Sequence, residues 1–432
     1  MPLATRKKKD FSSLKIFSIV SLCSSSSREE SISKSIVPIP LFPCVCSLVH
    51  ERTPILPLYP FLWYTKDSFV IDKRSIVLGK KIILTGGGTA GHVTPNLALL
   101  PGLKKEGYDI AYIGTVDGIE KKLLADFDVR YYGIAAGKLR RYFDPKNFSD
   151  PFRVLKGYRQ AKKILKQERP DVIFSKGGFV SVPVIHAASK YKIPCILHES
   201  DLTPGLANKL CVKKAKKICC NFPETLEYLP KDKTVLTGSP IREELRMGNA
   251  EAGKKFCGFT DDKPVVMVLG GSLGASSIND AVRGILNQLL QEFNVIHICG
   301  DDKMDNLKLT VSGYAQFEYV KNELKDLFAL ADVVVSRAGA NAICELLALK
   351  IPNVLIPLSA KNSRGDQILN ARSFRAQGFS VTIEDEDLDE DVLLEEIHEV
   401  YKNKDRYISQ MEKSGQPDAV ASILKLISET IG

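Results

Sequence analysis

The chain has 432 residues, enough for two domains of ordinary size, each with its own core. Its composition, 44% apolar and 26% charged, is that of a globular protein. The net charge of +9 is mildly basic and spread along helical stretches, without a zinc-finger or RNP-type motif. That points away from nucleic acid and toward anionic small molecules or an anionic membrane surface. Ten cysteines without a CxxC pair point to reduced, partly buried thiols, with neither a disulfide framework nor a structural zinc.

Residues 1–79 stand apart, Ser-rich at 22–27 and Pro-rich from 38 to 60. Their apolar stretches, Ile16 to Leu22, Val37 to Val49 and Ile55 to Tyr64, are broken by proline or charge and fall short of the roughly 20 residues a membrane span needs. The segment reads as a dispensable, disordered extension; an organelle-targeting leader is the alternative, opposed by Asp10, Glu29 and Glu30.

From residue 80 onward, strands and helices alternate, the pattern of parallel sheets covered by helices on both faces. The strands expected in the first half are 81–85, 110–113, 171–174, 194–198, 217–220 and 234–236. Those of the second are 264–269, 294–298, 315–318, 332–335, 353–356 and 379–382. Glycine and proline in Thr237-Gly-Ser-Pro-Ile-Arg242 mark the break. This gives a first domain at 80–238, a second domain at 239–415 and a terminal helix within 416–432 expected to pack back toward the first domain.

The stretch from Lys81 to Asn96 reads as strand, glycine turn and helix. Glycines at 86, 87, 88 and 91 let the backbone approach a ligand, and the helix start presents free N–H groups to an anion. The device returns in Pro264 to Ser277, so two α/β halves facing a cleft are expected. Gly86-x-Gly88-x-x-Gly91 alone is a weak dinucleotide fingerprint, and Asp117 comes late for a ribose-binding acid, which leaves an oxidoreductase as a poor second. Three further polar turns end strands: Ser175 to Pro183, His198 to Gly205, and Ser336 to Glu345.

These motifs together resemble the MurG family of peptidoglycan N-acetylglucosaminyltransferases. The matching marks are Gly87-Gly-Thr-Ala-Gly-His92 with Pro95, Gly177-Gly-Phe-Val-Ser181, His198-Glu199, Gly238-Ser-Pro-Ile-Arg242, Gly270-Gly-Ser-Leu-Gly-Ala275, Ser336-Arg-Ala-Gly-Ala340 with Glu345, and Asp366-Gln367 with Asn370-Ala371. The resemblance covers everything beyond the first 79 residues. It implies an α/β protein of the GT-B fold, two Rossmann-like parallel-sheet domains facing a central cleft. It further implies an inverting enzyme that moves N-acetylglucosamine from UDP-GlcNAc to undecaprenyl-linked lipid I at the cytoplasmic face of the cell membrane. Another lipid acceptor, such as diacylglycerol, is the alternative.

The resemblance implies donor contacts from Thr89, Ala90, Gly91, Asp201, Arg242, Ser272 and Val320, from Ala340, Asn341, Ala342, Ile343, Cys344 and Glu345, and from Gln367. Glu345 would accept from the ribose hydroxyls and the backbone at Val320 would read uracil. The acceptor diphosphate would meet Gly88, Gly91, His92, Gly177, Gly178 and Phe179. His92 is the expected base, since an unperturbed imidazole titrates near neutral pH, with Glu199 as second candidate. No cofactor and no metal is expected: Asp385-x-Asp387-x-Asp389 reads as a solvated helix start. The sequence departs from the family at Ser200-Asp201, where relatives commonly carry Gln-Asn, and at Asp366-Gln367, where many carry a Gln pair. Finally, Arg140, Arg141, Tyr142, Phe143, Phe152 and Arg153 interleave cations with aromatics, as a surface for anionic membrane requires.

Overall fold

Residues 82 to 84 are buried and point alternately to two helical layers, as a central parallel strand requires. Ile83 packs with Ile113, Ile173 and Leu197 against Val180 and Val184. Ile82 and Leu84 pack on the other face with Tyr112, Phe174 and Ile196 against Leu99 and Leu103. The computed structural model describes residues 79–137, 146–271, 274–361, 363–415 and 418–432, and before them an antiparallel pair, Tyr64–Thr65 with Ser68–Phe69. Two units are separable, Met1–Ile76 and Val77–Gly432, and both large sheets belong to the second.

Its first sheet has seven parallel strands. From edge to edge they run Arg130–Ile134, Asp109–Thr115, Lys81–Thr85, Val172–Ser175, Cys195–Glu199, Lys217–Cys220 and Thr234–Leu236. The second has six, in the order Tyr314–Phe317, Asn294–Ile298, Val265–Leu269, Val333–Ser336, Asn353–Leu355 and Val381–Thr382, also parallel. Sequence reasoning missed Arg130–Ile134, an edge strand in which Ile134 alone is buried, so its apolar pattern is short.

Both sheets reverse their strand order at one place. In the first lobe the reversal lies between Lys81–Thr85 and Val172–Ser175, in the second between Val265–Leu269 and Val333–Ser336. Crevices at such switch points, beyond the carboxyl ends of the strands, are where open α/β sheets bind ligands. The Gly86–Gly88 and Gly177–Gly178 turns follow the first pair, and the Gly270–Gly271 and Ser336–Ala340 turns follow the second.

The lobes join through polar and apolar contacts. Asn370, fully buried, accepts from Leu202 N (3.1 Å) and donates to Asp201 Oδ1 (3.2 Å) and Ala338 O (3.4 Å). Ser373 donates to Glu224 (2.7 Å), and the Phe222 and Phe374 rings meet edge to face. The terminal helix Ala419–Ile431 lies on the first lobe, with Ile423, Leu424 and Ile427 in the same core as Leu99 and Leu103. A side chain on Gly102 would meet Leu424 Cδ1 at 2.4 Å, so glycine there permits the close approach.

Candidate active site

The two glycine turns of the first lobe touch. Gly178 has φ of +79° and Gly88 of +93°, a region L side chains avoid. A Cβ on Gly178 would lie 2.2 Å from Gly87 O and 2.6 Å from His92 Cδ2; one on Gly88 would lie 2.5 Å from the Phe179 ring. Absent side chains thus let the turns, His92 and Phe179 close around a cavity of about 390 Å³. Its lining includes Gly88, Thr89, His92, Lys176, Gly177, Gly178, Phe179, Glu199, Asp201 and, from the second lobe, Arg364.

His92 ends a single 3₁₀ turn, Ala90–His92, from which the helix Thr94–Lys105 continues with Pro95 in its first turn. Burial foremost, then the charges of Lys176 and Arg364, bring the imidazole down to about 4 against the opposing pull of Glu120, so it is neutral at physiological pH. Glu199 is differently placed. Its Oε1 accepts from the N–H of Ser200 (2.9 Å) and Asp201 (3.2 Å), its Oε2 from Gly205 N (2.9 Å) and Asn208 Nδ2 (2.8 Å). Burial raises its pKa, but all the accepting capacity of the carboxylate holds the loop after its strand in shape.

Three residues at or beside the cavity escaped the sequence reading: Glu120, Lys176 and Arg364. Glu120, fully buried, accepts from Thr115 N (2.7 Å), Thr115 Oγ1 (2.5 Å) and, at 3.4 Å, from Gly88 N. Its carboxylate thus lies against the first glycine turn. Lys176 floors the cavity, and Arg364 reaches in from the second lobe. Arg364 pairs with Asp366 (2.5 Å) and Asp201 (3.5 Å). The signals were a lysine between a buried strand and two glycines, and an arginine before Gly365; only the tertiary fold brings them together.

Of the expected donor residues, Thr89, Ala90, Gly91 and Asp201 belong to the first lobe, and Ala340 to Glu345 follow the strand Val333–Ser336 of the second. The helix Ala340–Leu349 opens toward the first lobe, and Asn341 Nδ2 donates to Gly91 O at 2.9 Å, so Thr89, Ala90 and Gly91 sit against that helix start. Ala340, Ile343 and Cys344 are buried and can offer a ligand main chain only, as can Val320; Ala342 is half-buried. Glu345 has no hydrogen-bond partner among the described residues, and burial lifts its carboxyl to about 7 against the nearby Arg242 charge. Arg242 donates to Glu244 at 2.9 Å while its buried Nε has no partner among the described residues. Gln367, in the first turn of the helix Asp366–Ala376, accepts from Leu358 N at 3.0 Å.

Ser272, Arg140, Arg141, Tyr142 and Phe143 lie outside the described residues. Phe152 and Arg153 are exposed on the helix Lys146–Glu168. The acidic run is less solvated than the sequence suggests: Asp385 is paired with Arg337 at 2.7 Å and only Asp389 caps the helix Glu390–Lys402.

Comparison with known proteins gives consistent results. The model of the glycosyltransferase family 28 N-terminal domain matches residues 82–220, and that of the C-terminal domain residues 265–427. A UDP-N-acetylglucosamine--N-acetylmuramyl-(pentapeptide) pyrophosphoryl-undecaprenol N-acetylglucosamine transferase of Lachnospira eligens is 60% identical over 350 residues, 81% of this chain and 99% of the relative. The Clostridium tetani protein of that name is 55% identical, over 81% of this chain and 98% of its own. Among solved structures, Acinetobacter baumannii MurG shares the fold at a TM-score of 0.63 and 23% identity, covering 81% of this chain and 99% of that one.

Proposed function

The chain belongs to glycosyltransferase family 28, with the MurG proteins, and from that premise we propose that it makes lipid II for peptidoglycan synthesis, and so serves cell shape and division. It transfers N-acetylglucosamine from UDP-GlcNAc to the muramoyl 4-hydroxyl of lipid I, the undecaprenyl-diphosphate-linked muramoyl-pentapeptide. The observation that carries the reading is the meeting of the two lobes, where Asn341 at the helix start of one bonds to Gly91 in the glycine turn of the other. A donor against the helix and an acceptor against the turn then share one gap.

In this reading the uncharged imidazole of His92 accepts the proton of the muramoyl hydroxyl as its oxygen attacks the anomeric carbon. The bond from that carbon to the UDP oxygen breaks, its electron pair leaves with UDP, and the configuration inverts. An imidazole held near 4 is a weak base, but two of the charges depressing it, Lys176 and Arg364, line the acceptor cavity. A phosphate set against them offsets their fields and raises the basicity of His92 once substrate is bound. Glu199 shapes the acceptor loop, Arg242 meets the UDP diphosphate through its fork of donors, and Glu345 accepts from the ribose.

The same reading makes the protein peripheral at the cytoplasmic face of the cell membrane. What supports this is Phe152, 73% exposed, and Leu155, 45% exposed, among Arg153, Lys156 and Arg159. No helix among the described residues is long and apolar enough to cross a membrane.

The test is transfer from labelled UDP-GlcNAc to a lipid I analogue and to diacylglycerol, with donor binding measured alongside. Wild type should glycosylate only the former, and His92→Ala should bind donor normally while losing about 10²- to 10⁴-fold in turnover. Transfer to diacylglycerol alone refutes the acceptor, and full turnover by His92→Ala removes it from the chemistry.

A further inference from the structure

Lys176 is 1% exposed, yet forms no ion pair among the described residues. Its Nζ lies 2.7 Å from His198 Nδ1 and 2.6 Å from Ser200 Oγ. His198 Nε2 is 3.0 Å from Gly238 O, which can only accept, so Nε2 carries the proton and Nδ1 accepts from the ammonium. Both partners of the lysine are therefore neutral, and its third N–H has no partner among the described residues. Burying an ammonium without an anion in contact is costly, and packing a strand end does not call for one.

The neighbouring acids Glu199 and Asp201 favour the ammonium through space but form no ion pair with it among the described residues. Glu199 is consumed by its four donors, and Asp201 is engaged by Asn370 and Arg364. The first glycine turn has its own negative charge in Glu120, against Gly88 N. An anion entering the cavity therefore finds its counter-charge at the second turn, where Lys176 precedes Gly177 and Gly178, both left-handed.

We propose that Lys176 is the charge partner of the acceptor's diphosphate, giving its third N–H to a phosphate oxygen from the floor of the cavity. This rests on the acceptor reading above and adds to it a residue that selects a diphosphate-linked acceptor over an uncharged one. It also leaves a pH signature. The groups facing the ammonium are His92 on the first turn, His198, Glu199 and Asp201 beyond the strand Cys195–Glu199, Cys219 on the next strand, Cys344 on the helix Ala340–Leu349, and Arg364 across the cavity. Burial brings the lysine down to about 8, with Cys344, Glu199, Asp201 and Cys219 opposing. Both thiols are pushed up to about 12 and both imidazoles are held below their usual range, so these four are uncharged from pH 7 to 9. Acceptor binding should therefore weaken above pH 8 as the ammonium loses its proton.

The experiment uses the full chain with Lys176→Met, which keeps the length and removes the charge. Expected are an acceptor KM raised about tenfold or more, as for loss of a charge-assisted phosphate contact, with UDP-GlcNAc affinity unchanged. A modest fall in melting temperature is expected, because the buried Nδ1 of His198 loses its donor. An unchanged acceptor KM would make Lys176 a structural pin and overturn the proposal. Should the variant not fold, the wild-type acceptor KM from pH 7 to 9 decides: a rise above 8 absent from donor binding supports it, and a flat profile overturns it. If wild type transfers no sugar to a lipid I analogue, the functional reading has failed, and Lys176 is then judged by inorganic pyrophosphate, bound more weakly by Lys176→Met if the assignment holds and equally if not.

Discussion

Replacing Gly178 by alanine tests how closely the two acceptor turns must meet. At φ +79° an L side chain costs about 1 to 2 kcal/mol in backbone strain. The new Cβ would also fall 2.2 Å from Gly87 O and 2.6 Å from His92 Cδ2, so the first turn or the imidazole must move, adding about 1 to 3 kcal/mol of overpacking. Gly177→Ala is the internal control. It carries the same kind of strain at φ +88°, but its Cβ would meet only the Asn208 side chain, at 3.3 Å. Urea titrations should place Gly178→Ala below Gly177→Ala by that overpacking difference, about 1 to 3 kcal/mol. Turnover should collapse in the former, where His92 is displaced, and persist in the latter. Equal losses of stability and equal turnover would refute the argument that these turns close on one another.

Glu345, raised to about 7 by burial, contributes stability that is present below its unfolded value of 4.5 and is lost as the pH rises toward 7. Glu345→Gln should flatten that slope in urea titrations, and should abolish the weakening of UDP-GlcNAc binding expected below pH 7 in calorimetry; an unchanged pH slope for donor binding would exclude Glu345 from the ribose. Asn370→Ala leaves the Leu202 N–H without its acceptor at the lobe junction and should cost about 1 to 3 kcal/mol in thermal or urea unfolding. A loss too small to measure would mean that the junction rests on Phe222, Phe374 and Glu224 instead. Phe152→Ser combined with Leu155→Ser, or removal of Arg153, Lys156 and Arg159, should lower binding to anionic vesicles while leaving turnover on a soluble acceptor analogue unchanged; equal vesicle binding would dispose of the membrane surface.

What could be read in the sequence follows from what each feature depends on. Central strands such as Val265–Leu269 are apolar on both faces and need only local composition to be recognised. Arg130–Ile134, an edge strand carrying Arg130 and two tyrosines, owes its conformation to pairing with Asp109–Thr115 and gave no such run. The glycine turns and His92 were legible because phosphate chemistry demands glycine next to a helix start. Glu120, Lys176 and Arg364 were not, because an isolated charged residue acquires meaning only from what surrounds it. Lys176 and His198 are 22 residues apart and meet because neighbouring parallel strands end together. Glu199 is the converse, an acid conspicuous in the motif whose bonds turn out to be with its own loop.

The terminal helix carries a consequence for how the molecule can be divided. Ala419–Ile431 follows the whole second lobe in the chain, yet it completes the wall of the first. Until it arrives, Leu99, Leu103 and the notch at Gly102 stay uncovered. A gene cut after the first lobe would therefore yield an unfinished half. Adding the closing thirteen residues back as a separate peptide should restore its solubility.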